Sequence, residues 1–168
     1  MIVISDTSPI NYLLQIGLID LLHHLFGKVI IPRAVYEELQ HKGAPKVVSD
    51  WTSKLPDWVE VQAVSAPDPG LDLGAGEREA ITLALSLNAD ALLLDERKGR
   101  REALVRGVTV SGTLNVLEQA AERGLVDLPK AFGALLQTNF RASTEIIQAM
   151  LQRDANRKLS TAQEQDAN

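Results

Sequence analysis

Asn88-Ala-Asp-Ala-Leu-Leu-Leu-Asp-Glu-Arg-Lys-Gly-Arg-Arg-Glu-Ala103 is the stretch whose reading decides the fold. Residues 91–94 form a short, continuous apolar run, as expected of a strand covered on both faces in a parallel sheet. The run stops at Asp95 and Glu96, and a basic helical pattern begins near Arg97. In open α/β sheets ligands bind beyond the carboxyl ends of the strands, so Asp95 stands where chemistry is expected. The plainer reading of Asp95 is a cap for the helix that follows it.

Outward from this stretch, strand-like and helix-like segments alternate. Residues 2–5 are a β-rich opening run with Asp6 directly after it, and Thr7, Ser8 and Pro9 open a helix that Gly17 stops. Leu18, Leu21, Leu22 and Leu25 continue a helical pattern to Phe26, and Gly27 closes it. Residues 29–31 read as a second strand, 33–41 as a helix ended by Gly43, 45–54 as a short helix, and 59–64 as a brief strand at a sheet edge. Residues 65–76, rich in Pro and Gly, form the clearest loop, and 77–87 a strong helix. After the 91–94 strand come a helix to about Arg106, a third central strand over 108–110, and helices to about Arg123, over 130–138 and over 143–152. There is no internal repeat. This alternation predicts an α/β fold: a three-layer α/β/α sandwich with a mainly parallel central sheet. One domain is expected over residues 1–152. The polar tail, 153–168, is expected to fray or be disordered.

A chain of 168 residues is long enough to bury a core. Its 17 basic and 22 acidic residues give a formal charge of -5, which argues against a general basic nucleic-acid platform but leaves room for a local patch. The absence of cysteine removes disulfides, thiolate metal sites and cysteine nucleophiles, and fits a reducing compartment. The opening Met-Ile-Val-Ile-Ser-Asp has no basic leader and no run reaches membrane-spanning length, so a cytoplasmic location is the expectation.

Four acids stand where a common site can form. Asp6 and Asp95 each follow a strand, and both emerge at the same edge of a parallel sheet. Glu38 lies one position before the core-facing Leu39, and Glu77 opens the helix after the flexible loop. Two like charges 4 Å apart repel by roughly 1 kcal/mol in water and about 4 kcal/mol near a protein surface. Clustered carboxylates therefore take up protons or a cation. Oxygen ligands without His or Cys favour Mg²⁺ or Mn²⁺, ions that activate water and stabilise charge on a phosphodiester. Each acid also has a plainer role: Asp6 as a helix cap, Glu38 on a solvated helix face, Glu77 as a complement to the helix dipole. Glu79, Glu96 and Glu102 read as surface charges. His23, His24 and His41 lack metal-ligand spacing.

Ile4-Ser-Asp-Thr-Ser-Pro9 resembles the opening of PIN-domain proteins, as does Ile31-Pro-Arg-Ala-Val-Tyr-Glu-Glu-Leu39. Gly76-Glu-Arg-Glu-Ala-Ile81, followed by Leu94-Asp-Glu-Arg-Lys-Gly-Arg-Arg-Glu-Ala103, is similar to a prokaryotic branch of that superfamily related to VapC-type toxins. The resemblance runs from Met1 to about Gly124 and extends toward Leu151. It implies a Mg²⁺- or Mn²⁺-dependent endoribonuclease, the toxin of a toxin–antitoxin pair. Asp6, Glu38, Glu77 and Asp95 would then be the catalytic and metal-holding acids, RNA the substrate, a small antitoxin the partner and a homodimer the assembly. Many relatives carry a further acid where this chain has Ser111-Gly112-Thr113, which weakens the case for a two-metal site. Ser8, Arg97, Lys98, Arg101, Ser111 and Thr113 are the expected substrate contacts, and Arg97 and Arg101 share a helix face. Few aromatics are available for base stacking.

The alternative from another class is a catalytically inactive PIN-like module that binds RNA or a protein. Gly74-Ala-Gly-Glu-Arg-Glu-Ala80 mimics a dinucleotide fingerprint but lacks the strand that must precede it. A receiver-like module is disfavoured by the lone Asp6 and by Ser111 where a Lys is required.

Overall fold

The structure is a computed structural model and describes residues 1–167. It divides into two compact units, Met1–Thr113 and Leu114–Asn168. The first carries the strands β1 (Val3–Ser5), β2 (Val29–Pro32), β3 (Val59–Gln62), β4 (Ala91–Leu93) and β5 (Val110–Ser111). Between them run α1 (Thr7–Gln15), α2 (Leu21–Phe26), α3 (Arg33–Leu39), α4 (Lys46–Ser53), α5 (Ala75–Ser86) and α6 (Arg97–Val105). The strands form one sheet in the order β3-β2-β1-β4-β5, with every neighbouring pair parallel.

The apolar runs form strands because the sheet is buried on both faces. Ile4 and Leu92, paired in register, pack with Ala80, Ile81 and Ala84 of α5 and Ala103 of α6. On the opposite face Val3, Val29, Ile31 and Leu93 are fully buried. This is the expected three-layer α/β arrangement, and β3 lies at the sheet edge as its sequence suggests.

Residues 108–110 are not a central strand. Gly107 adopts φ 80°, Val108 N–H bonds to Ala103 carbonyl and Gly107 N–H to Leu104 carbonyl, the closing pattern of a helix. Val108 therefore ends α6 and joins its core, and only Val110–Ser111 forms the strand, at the edge beside β4. Asn88, at φ 48°, closes α5 in the same way. Other boundaries shift as well: the 18–26 pattern is helical only from Leu21, α3 ends at Leu39 rather than at His41, and β3 ends at Gln62.

The second unit is helical. It contains all but the first residue of α7 (Thr113–Glu122), then α8 (Leu128–Leu136) and α9 (Thr144–Asp166). Asp127 caps α8 by accepting from Lys130 N–H, and Ser143 caps α9 by accepting from Ile146 N–H. The tail expected to fray is helical through Asp166, while Asn168 lies outside the described residues. Its polarity serves side-chain pairing on the helix. Asp154 is buried and bound by Arg157 and by Lys158 at 2.7 Å, and Arg153 makes a two-pronged bond to Glu118. Among the described residues no helix is long and apolar enough to cross a membrane.

Leu92→Ala is expected to lower unfolding free energy by about 3 kcal/mol, because it opens a cavity in the sheet centre. Leu104→Ala, at a side chain 58% exposed, is expected to cost less than about 0.5 kcal/mol. Chemical denaturation of both variants checks this, and equal losses would contradict the packing described.

Candidate active site

The chain reverses its direction of travel across the sheet at β1. The next strand, β2, lies on one side of it, and β4 returns on the other. Such a switch point leaves a crevice at the strands' carboxyl ends. Ser5 is level with Leu93, and Asp6 N–H extends the ladder by donating to Leu93 carbonyl at 2.9 Å. Asp95 follows two residues later. The two aspartates therefore leave the sheet at the same edge, with Ser111, level with Leu93 on β5, beside them.

Asp6 occupies the N-cap position of α1 but does not act as a side-chain cap, since its carboxylate makes no capping bond. It is 4% exposed, and its Oδ1 is buried without a partner. Burial pushes its pKa up from 3.8 to about 7; a hydrogen bond from the Thr7 backbone opposes this, and the charges of Glu77, Glu38 and Asp95 add to it. Asp95 is not a cap either, since Glu96 holds that position on α6. Thr113 grips Asp95 with two bonds, N–H to Oδ1 and hydroxyl to Oδ2, each 2.7 Å. Burial raises the Asp95 pKa, while Thr113 and Arg100 pull it back.

The two glutamates are held by helix ends. Glu38 is exposed as a residue, yet its carboxylate accepts from the Thr7 hydroxyl and, at 3.0 Å, from Gly76 N–H in the first turn of α5. A methyl group at residue 76 would stand 2.7 Å from both Glu38 oxygens, so a larger residue there would push the carboxylate aside. Glu79, expected at the surface, returns the bond. It accepts from Ala34 N–H at 2.9 Å in the first turn of α3. α3 and α5 thus cap one another, each supplying a carboxylate to the other's unpaired N–H groups. Glu77 is half-buried, and its Oε2 has no partner. Burial raises its pKa first, then Glu96 and Glu38, against a lowering by Lys98. Gly99 of α6 makes room for it: a methyl there would lie 2.5 Å from Oε2.

The remaining predicted residues are less uniform. Arg97 and Arg101 are exposed on α6. Lys98, also exposed on α6, pairs at 3.0 Å with the exposed Asp72 of the long loop. Thr113 is fully buried with both donors on Asp95, so it positions an acid instead of presenting a hydroxyl. Ser111 Oγ is buried without a partner, and Ser8 lies half-buried in the first turn of α1. Arg100, hidden in the sequence among four basic neighbours (Arg97, Lys98, Arg101 and Arg106), is the cation that stands at Asp95. Its Nη1 donates to Leu94 carbonyl at 3.0 Å.

A family profile described as a PIN domain (DUF3368) matches residues 2–156. The chain belongs to the PIN-domain family. Its fold is similar to that of a PilT N-terminus domain protein, SSO1118, from the hyperthermophilic archaeon Sulfolobus solfataricus P2. The likeness covers 85% of this chain and 100% of that one, with a TM-score of 0.51 and 18% identity, and it bears on the fold alone. No curated protein matches the chain significantly.

PIN domains are generally nucleases and typically use divalent metals. The acids of this PIN domain fit such an ion by donor type and by need: all are hard oxygens, and Asp6 Oδ1 and Glu77 Oε2 are buried with nothing to satisfy them. Among the described residues no three acids or histidines converge tightly enough to hold one ion as they are arranged. Glu38 and Asp95 are instead committed to Gly76, Thr7 and Thr113, although each carboxylate oxygen keeps a further lone pair.

A raised carboxyl pKa contributes stability below its unfolded value and loses it as pH rises through the folded one. For Asp6 that window runs from about 4 to about 7. In chelator, the protein is therefore expected to lose on the order of a few kcal/mol between pH 4 and pH 8 from this group. Asp6→Asn should flatten that part of the profile and be the more stable protein at pH 8. Thermal unfolding across the range checks it, and parallel profiles for the two proteins would contradict it.

Proposed function

We propose that this PIN domain is a divalent-metal-dependent endoribonuclease that hydrolyses RNA phosphodiester bonds, and that it acts as the toxin of a toxin–antitoxin pair. One observation carries the reading. At the sheet's switch point, two buried carboxylate oxygens without partners, on Asp6 and Glu77, lie within electrostatic reach of Glu38, and Asp6 also feels Asp95.

Asp6, Glu38, Glu77 and Asp95 are the residues that would hold Mg²⁺ or Mn²⁺. The ion would neutralise their mutual repulsion and supply positive charge to a phosphodiester at the crevice. The chain's own groups divide the remaining work. Thr113 fixes the orientation of Asp95, and the α3–α5 capping pair fixes Glu38 beside Glu77. Asp6 can hold or release a proton near neutral pH. Arg97 and Arg101, exposed on the helix that follows Asp95, would meet RNA phosphates, with Ser8 and Ser111 as further polar contacts.

An acidic crevice of this kind suits a small antitoxin that inserts a basic side chain, and the reading includes a homodimer and a cytoplasmic location. The second reading is a catalytically inactive module that binds RNA or a protein. It draws on the internal hydrogen bonds that occupy Glu38 and Asp95.

Cleavage of single-stranded RNA separates the two. The purified protein is expected to cut with Mg²⁺ or Mn²⁺ and to stop in chelator, with Asp95→Asn slower by about two orders of magnitude or more. Equal cleavage by both proteins would overturn the assignment, and binding of RNA without any cleavage would favour the second reading.

A further inference from the structure

Gly112 lies between two hydroxyl residues, Ser111 and Thr113, and a cation stands beside it. A methyl group at residue 112 would stand 2.7 Å from Arg100 Nη1 and 3.0 Å from Asp95 Oδ1. The two groups therefore flank one small space that a side chain at residue 112 would crowd. Arg100 is anchored there by its bond to Leu94 carbonyl, the last peptide before Asp95. Among the described residues it makes no direct ion pair with Asp95, whose two oxygens take their hydrogen bonds from Thr113. Arg100 is half-buried, and a guanidinium does not lose its proton in a protein, so the charge is permanent.

We infer that Arg100 is a built-in counter-charge to the acidic cluster, and that the site consequently takes one divalent cation rather than two. This deepens the metal reading above and rests on it. With all four acids ionised and Arg100 beside them, one divalent ion leaves the cluster with a single negative charge. A second would make it positive next to a fixed guanidinium in a partly desolvated crevice, where such repulsion is poorly screened. Arg100 is a positioning and charge-setting residue here, not one that touches the reacting atoms.

Titration with Mn²⁺ alone, followed by calorimetry or by the signal of free Mn²⁺, tests the inference without recourse to activity. The expected result is one Mn²⁺ per chain. Arg100→Gln, which keeps a donor for Leu94 carbonyl but removes the charge, should bind Mn²⁺ about tenfold more tightly. Arg100→Lys should stay within about twofold of the parent. A purely structural arginine gives the opposite sign, since its loss would loosen the site and weaken binding. Unchanged or weaker affinity in a folded Arg100→Gln protein, or two Mn²⁺ per chain in the parent, overturns the inference while leaving the metal reading intact. No binding by the folded parent at millimolar Mn²⁺ overturns both.

Discussion

A carboxylate that has lost water and not regained hydrogen bonds is an expensive thing to keep in a protein. Asp6 is in that position. It sits at the end of the first strand of a sheet buried on both faces, with one oxygen unpaired and three other acids near enough to raise its pKa. The parallel sheet itself makes this unavoidable. Its strand order brings β1 and β4 side by side at the switch point, so whatever follows each strand shares a crevice. Most of the surrounding architecture can be read as a response to that constraint. Thr113 absorbs part of the charge of Asp95, helix N-termini absorb that of Glu38, and Arg100 stands beside the pair of strands as a fixed cation. Asp6 and Glu77 remain unsatisfied.

The mutual capping of α3 and α5 shows how local sequence serves this end. Both helices begin without a side-chain cap of their own, and each takes a carboxylate from the other. Because Glu38 is one of the two, the bond that completes α5 also holds a candidate metal ligand near Glu77. Glycines at 76 and 99 make the approach possible: both lie where any side chain would strike a glutamate.

The fold was legible because its strands are short, fully apolar and bounded by abrupt polar or glycine stops. The acids were legible for a related reason, since Asp6 and Asp95 each follow directly on such a run. Other features depend on three-dimensional neighbours that a linear pattern does not contain. Glu77 and Glu79 look alike in sequence, yet two residues on a helix turn the side chains to different sides, one left unpaired and one spent on α3. Arg100 reads as one of a run of basic residues, and its place beside Asp95 follows from its bond to Leu94 carbonyl and from the space left at Gly112. Val108 carries a strand signal but is consumed in closing α6. The tail from Arg153 has the composition of a solvated segment, which an exposed helix laced with i,i+4 pairs shares. Thr113 looked available to a substrate, but its donors are spent on Asp95, and Lys98 pairs with a surface acid, Asp72.

The central claim is that the unsatisfied acids at the switch point exist to hold a divalent cation. Crystals grown or soaked in Mn²⁺ and measured for its anomalous scattering test it most directly. The account predicts a single anomalous peak per chain in contact with oxygens of Asp6 and Glu77. A map with no peak at the crevice at millimolar Mn²⁺, or with peaks only at surface acids such as Asp72 or Asp50, would contradict it.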